Sequence, residues 1–230
     1  MERSTGDITD SGTIRERLKR LPVFPLPNGV LIPGGHLPLH VFEPRYRALV
    51  RDCLRDDRLF AVGLLEQEEL VGAKPPAIRP VAGLGEISAH AELSDGRFFI
   101  LVKGIARTRI LEELRSPKPY RVVRAVAVHE EHPLDAEQLS VSTQVLKRLV
   151  SDLTRHLPEE AGKPMAEACL AEPDPGLLAD TVASAVLVDT AQRQRFLEEL
   201  DVVRRLELMN LAVAAVLERI SSRSGGRTFN

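Results

Sequence analysis

The sequence predicts an α+β protein in which a small closed or half-closed barrel of short strands is followed by a helical bundle. Three observations carry this expectation. Before residue 133, short apolar runs alternate with Gly and Pro; beyond it, apolar residues recur at helical spacing. Asp95-Gly96 sits between two apolar runs, as in a hairpin. The segment PLPNGVLIPGGHLPLHVFEPRY, residues 25–46, is both proline-rich and apolar. Four regions are expected: a flexible N-terminal tail over 1–19, a barrel over 20–132, a helical bundle over 133–221 and a disordered tail over 222–230.

Short strands are expected at 21–24, 29–32, 36–41, 59–65, 81–90, 97–103, 106–112 and 121–128. In AELSDGRFFILVKG, Asp95 and Gly96 both tolerate the positive φ of a tight turn, and Gly104 would end the following strand. RVVRAVAV is almost continuously apolar, which fits a strand covered on both faces. Pro22, Pro25, Pro27, Pro33, Pro38 and Pro44 are six of the 16 prolines. Proline cannot donate to a central ladder, so such a cluster implies edges, bends and a chain that turns often while packing inward.

Pro44 suits the first position of a helix, where its missing N–H costs nothing. Tyr46, Leu49, Val50, Cys53 and Leu54 then follow the spacing of one buried helical face. Arg47, Arg51 and Arg55 fall on the other side, as a solvated face balanced by Asp52, Asp56 and Asp57 or as an anion or RNA contact. Asp135 should cap a helix with Gln138 at N3 and a buried face of Leu139, Leu146, Leu149, Val150, Leu153 and Leu157. Asp174-Pro175 starts another helix, and Asp189 with Gln192 a short one containing Phe196, Leu197 and Leu200. Val202, Leu206, Met209, Val213, Val216 and Ile220 form the seam of the last helix, for core packing or a coiled-coil partner.

Composition narrows the function. Lys+Arg number 31 against 33 Asp+Glu, a net charge of −2, which is not the basic footprint of a general nucleic-acid binder. Aromatics make up only 4%, which disfavours pockets that stack bases or sugars. No apolar run is long enough to span a membrane, and no signal-peptide core is present, so no membrane association is expected. Cys53 and Cys169 sit among apolar neighbours, as small buried hydrophobes in a reducing, cytoplasmic setting.

No motif for chemistry emerges. Gly162-Lys163 is followed by Pro164 and preceded by Leu157 where a phosphate loop needs its first Gly. GLGEI at 83–87 is too short for a dinucleotide site. His129 and His132 are three apart at a strand end, not four apart on a helix. His36 and His40 would be about 13 Å apart on an extended strand, too far to share a metal. No catalytic residue, cofactor or metal is therefore expected.

The residues do match a known pattern. Leu21-Pro22, Phe24-Pro25-Leu26, Val30-Leu31, Pro33-Gly34-Gly35, Leu37-Pro38-Leu39 and Phe42-Glu43-Pro44-Arg45-Tyr46 resemble the opening signature of the LON substrate-binding domain, the N-terminal region of ATP-dependent Lon proteases. DGRFFILVKGIARTRI is similar to that family's Asp-Gly-Arg hairpin, and residues 177–213 to its Leu-Ala-Asp, Gln and Leu-Glu helices. Asn28-Gly29 adds a residue between two proline turns, and Gly83-Leu84-Gly85 replaces a Gly-Thr step. The resemblance implies a PUA-like β-barrel followed by a helical bundle. It also implies a stand-alone, non-catalytic module without ATPase or protease domains, whose partners are polypeptide clients, including unfolded segments.

Leu37, Pro38, Phe42 and Tyr46 are the candidate peptide-binding residues, beside an apolar groove or on an open sheet edge, with simple core packing as the competing reading. Two alternatives stay open. One is RNA binding, borrowed from the PUA-like fold. The other is a hydrolase or isomerase using Glu43, Arg45 and Tyr46, although Glu43 also fits as the cap of the helix that follows. The oligomeric state is left open, with a homo-oligomer allowed.

Overall fold

A computed structural model describes residues 12–66, 76–131 and 135–225. Its elements are α1 (Gly12–Leu18), β1 (Leu21–Leu26), β2 (His36–Val41), α2 (Pro44–Arg55), β3 (Leu59–Leu64), β4 (Val81–Glu92), β5 (Phe98–Leu114), β6 (Arg121–Ala127), α3 (Ala136–Thr154), α4 (Glu159–Ala171), α5 (Pro175–Val186), α6 (Thr190–Glu198) and α7 (Val202–Gly225). The class is α+β, as expected. The chain forms two compact units, residues 1–129 with 189–198, and residues 130–188 with 199–230. The contacts therefore do not divide at one point along the chain. Residues 1–11 and 226–230 of the expected tails lie outside the described residues, whereas 12–18 form α1 and 222–225 continue α7.

In the first unit a mixed sheet runs β2-β5-β4-β3-β1-β6, and β5 also pairs with β6. The pairings thus return on themselves through five strands, with β2 attached outside β5. β1 lies between two neighbours although it contains Pro22 and Pro25. Alternate backbone groups of a strand face alternate neighbours, and Leu26 O accepts the Leu65 N–H. Pro25 accordingly faces the β6 side, where pairing stops at Val23. Its missing N–H costs no ladder bond.

Three strand expectations are corrected. β6 is not covered on both faces, since Arg124 and Val126 are exposed. Residues 97–112 do not break at Gly104; β5 is one strand of 17 residues. Residues 29–32 form no strand. Val30, Leu31 and Ile32 are buried but cross the inner side of the sheet instead of joining it. A β-carbon on Gly83 would collide with the Leu31 carbonyl oxygen, and one on Gly104 with that of Ile32. Only hydrogen at these two α-carbons admits the crossing chain. Gly104 N–H then donates to Gly35 O at 2.9 Å, and Gly34 N–H to Gly104 O at 2.9 Å, which fixes where β2 begins.

α6 holds the start of that crossing. Thr190 Oγ1 donates to Asn28 O (3.3 Å) and the Arg193 guanidinium to Val30 O (3.4 Å). The buried Gln194 amide donates to Val81 O (3.0 Å), and Arg107 Nε donates to Leu197 O (3.0 Å). These bonds explain why 189–198 belongs to the first unit. The sheet interior is filled by Phe24, Leu31, Leu49, Val50, Phe60, Ile87, Phe98 and Val102 on one side. A second cluster, with Leu21, Val23, Ala61, Leu84 and Val123, receives Ile14 and Leu18 of α1.

The β4–β5 turn is a three-residue loop, Ser94–Gly96, closed by Leu93 N–H to Arg97 O at 2.8 Å. Only Gly96 takes positive φ (78°); Asp95 instead accepts from Arg97 N (3.1 Å) and Nε (2.7 Å). Arg47 and Arg51 of α2 brace this hairpin. Arg51 pairs with Glu92 at 2.9 Å and reaches Gly96 O, while Arg47 lies against Gly96.

The second unit is helical. Asp135 caps α3 by accepting from Glu137 N and Gln138 N, and Asp174 caps α5 by accepting from Gly176 N and Leu177 N. The Gln138 side chain does not complete a capping box; it donates to Glu207. Leu146, Val150 and Leu153 are buried against the helical core as expected, with Leu139, Leu149 and Leu157 half-buried. The α7 seam is buried at Val202, Leu206, Met209 and Val213 and half-buried at Val216 and Ile220. α4 was not expected, because Gly162 and Pro164 interrupt its periodicity. Arg205 is fully buried; it pairs with Asp180 and, at 2.6 Å, with Glu130.

Two outcomes follow from this packing. Gly104→Ala should cost about 2–3 kcal/mol of unfolding free energy in urea, as over-packing does. Gly12→Ala, which meets no atom within 4 Å, should stay within about 0.5 kcal/mol. Asp180→Ala should cost about 1–3 kcal/mol, because the buried Arg205 loses one of its two carboxylate partners and keeps Glu130.

Candidate functional site

β2 alternates strictly. Leu37, Leu39 and Val41 turn inward, while His36, Pro38 and His40 are exposed. Directly opposed residues of an antiparallel pair share a face. Pro38 therefore lies beside Leu101, and His40 beside Phe99. On the other side of β5 the opposed residues are Ala89 to Leu101 and Ala91 to Phe99. This works because the register shifts between Ile87 and Ala89, where Ser88 is left over and its hydroxyl donates to Leu101 O at 3.0 Å. Without that bulge the alanines would face inward.

The result is an apolar outer face spanning three strands, lined by Pro38, His40, Ala89, Ala91, Phe99 and Leu101. Strand spacing and rise make it about 10 Å by 13 Å, counting to Phe42. Phe99 is 51% exposed and Phe42 60%. The His40 ring stacks on Phe99 with centroids 4.6 Å apart and lies 5.8 Å from Phe42. Phe42 holds the position just before the α2 cap, from which an apolar side chain often packs back on the fourth helical residue. Here that residue is Arg47, so Phe42 has no such partner and remains in solvent.

A cleft adjoins the face behind Phe42, bounded by Pro25, Leu26, Pro27, Leu65 and the start of α2. Tyr46 forms its floor. Its ring is buried, stacked 4.3 Å from Phe24, with the Arg45 guanidinium carbon 4.8 Å above it. Burial pushes the Tyr46 hydroxyl above its ordinary range. Glu43 occupies the cap position of α2 but makes no side-chain cap bond; its carboxylate grips Arg45 Nε at 2.9 Å.

Of the four expected contact residues, Pro38 and Phe42 are exposed on this surface, while Leu37 and Tyr46 are turned into the core. His40, Phe99 and Leu101 were missed. The signal was present in RFFILV, where alternation sets Phe99 and Leu101 opposite Phe98, Ile100 and Val102, but an unbroken apolar run hides which face is wet.

Glu43 and Arg45 are spent on each other. Among the described residues no three His, Cys, Asp or Glu side chains gather as metal ligands. The Cys53 thiol is pushed up to about 12 by burial, which keeps it protonated and inert as a nucleophile. Asp52 is held below the usual carboxylate range by the Lys118 ammonium (2.9 Å) and the Tyr120 hydroxyl (2.7 Å), as a structural tie. Among the described residues no helix is long and apolar enough to cross a membrane.

The sheet and the helices define a domain class that comparison with known proteins identifies. The model of the ATP-dependent protease La (LON) substrate-binding domain matches residues 20–214, and the chain belongs to that family. It is 31% identical over 194 residues to Lon protease 2 of Myxococcus xanthus and 30% identical over 194 residues to Lon protease of Anaeromyxobacter dehalogenans. Each match covers 82% of this chain but only 23% and 22% of those proteases, so the chain spans less than a quarter of their length. Its fold is similar to the N-terminal domain of Mycobacterium avium complex Lon protease, with TM-score 0.66, 19% identity and coverage of 85% and 98% of the two chains. It is also similar to a Lon N-terminal domain protein from Xanthomonas campestris, with TM-score 0.57, 25% identity and coverage of 83% and 96%.

The two aromatic members of the signature should separate on mutation. Tyr46→Ala should cost about 3–5 kcal/mol by emptying the core beside Phe24. Phe42→Ala should change stability by no more than about 0.5 kcal/mol in the same urea titration.

Proposed function

We propose that this chain is a polypeptide-binding module, contributing recognition and not catalysis, and that it engages unfolded segments through Pro38, His40, Phe42, Phe99 and Leu101. The observation that carries this reading is the pair of exposed aromatics joined by a stacked imidazole. Large apolar side chains left in water at one place mark a contact surface, and aromatic anchors dominate such contacts. Leu37 and Tyr46 support the surface from behind. Membership of a family described as the substrate-binding part of a protease favours polypeptide as the ligand. The nucleic-acid alternative loses its basic stripe, since Arg47 and Arg51 brace the β4–β5 hairpin. The unpaired, buried Cys53 and Cys169 favour a reducing, cytoplasmic setting.

Fluorescence anisotropy with one labelled client protein, folded or reduced and carboxymethylated, tests this. The unfolded form should bind at least about 10-fold tighter, and the double change Phe42→Ala/Phe99→Ala should remove at least about 10-fold of that affinity. Leu211→Ala, on exposed α7 surface, should leave it unaltered. Equal or absent binding of the two client forms would sink the reading.

A further inference from the structure

We propose that a bound segment lies flat across the outer face of β2, β5 and β4, held by its side chains, and that Pro38 excludes the alternative in which it adds a strand to β2. This rests on the polypeptide-binding reading above and specifies how that site works.

Among the described strands, β2 is the one paired on a single side, so its other side is where strand addition would occur. Gly35 O accepts from Gly104 N–H, which fixes the phase of the ladder. By alternation the backbone groups of Leu37, Leu39 and Val41 face β5, and those of His36, Pro38 and His40 face the open edge. Pro38 therefore sits where its missing N–H costs β5 nothing and deprives the edge of its central donor. The two donors left, at His36 and His40, are about 13 Å apart. An incoming strand on this six-residue edge would lose the middle of its ladder. Proline at such a place is a known guard against edge pairing.

The same ring serves the neighbouring face. Its side chain is exposed in the row with Leu101 and Ala89, next to the row of His40, Phe99 and Ala91. One residue thus closes the backbone route and enlarges the side-chain route. A face about 13 Å long contacts roughly four residues of an extended chain. Recognition through side chains needs aromatic or branched apolar groups in that stretch and no particular backbone conformation. The occupant that fits is a short apolar-aromatic segment of an unfolded chain.

Backbone methylation separates the two modes. A labelled ten-residue peptide of alternating Phe/Leu and polar residues would be made in three forms: unmodified, and N-methylated on the alternate amides of one edge or of the other. The intact chain should bind all three within about 3-fold, and Phe99→Ala should weaken all three by about 10-fold or more. If either methylated form alone loses more than about 10-fold, strand addition operates and the inference is overturned. If the unmodified peptide does not bind at all, the polypeptide-binding reading fails instead. Pro38→Val supplies a second check by restoring the donor. It should make binding sensitive to methylation on one edge, or make the chain self-associate in sedimentation. A monomeric, methylation-insensitive Pro38→Val removes the role assigned to Pro38. Should that variant not fold, the wild-type comparison still decides between the modes.

Discussion

The crossing of Val30, Leu31 and Ile32 beneath β4 and β5 is the constraint on which the first unit depends. Three buried aliphatic residues fill the inner side of the sheet without joining it, and their backbone passes where Gly83 and Gly104 carry no side chain. The paired bonds between Gly104 and Gly34-Gly35 then set the chain down on the outside of β5. From that point β2 has no freedom of register. Its inward residues must be Leu37, Leu39 and Val41, and its outward ones His36, Pro38 and His40.

The exposed apolar face is a consequence of that register combined with one bulge. Ser88 resets the phase of β4, so that Ala89 and Ala91, and not Ser88 and His90, stand beside Leu101 and Phe99. The floor stays low and the aromatic rings of Phe42 and Phe99 stand above it. Behind them the Tyr46–Phe24 stack makes the start of α2 rigid, and the Arg51–Glu92 pair braces the far end of the hairpin. A surface that is apolar but mounted on a braced sheet can offer aromatic anchors without collapsing onto itself. The buried Arg205–Asp180–Glu130 group belongs to the helical unit and fixes the chain at residue 130 there, with Glu131 N–H donating to Leu200 O and Val202 N–H to Glu131 O.

Much of this was legible in the residues. The caps at Asp135, Asp174 and Asp189 and the Pro44 helix start are local chemistry, and the structure places them where sequence put them. The α7 seam followed from spacing alone. What failed was what depends on distant partners. Val30-Leu31-Ile32 has the composition of a strand, yet its neighbours are the glycines of other strands, 50 and more residues away. Gly104 reads as a strand end locally but serves a close approach inside a continuous β5. Glu43 has the right type and place for a cap, but the neighbouring Arg45 competes for its carboxylate more strongly than backbone N–H groups do. The exposed apolar face was half visible: Pro38 and Phe42 lie in the signature, whereas Phe99 and Leu101 hide in a run whose two faces are equally apolar.

The most direct test of the account is amide chemical-shift mapping during titration with an unfolded, carboxymethylated client. The account predicts shifts confined to residues 36–43, 88–92 and 98–102, with α7 silent. Shifts centred on the exposed Leu208 and Leu211 of α7, with β2 and β5 unmoved, would contradict it.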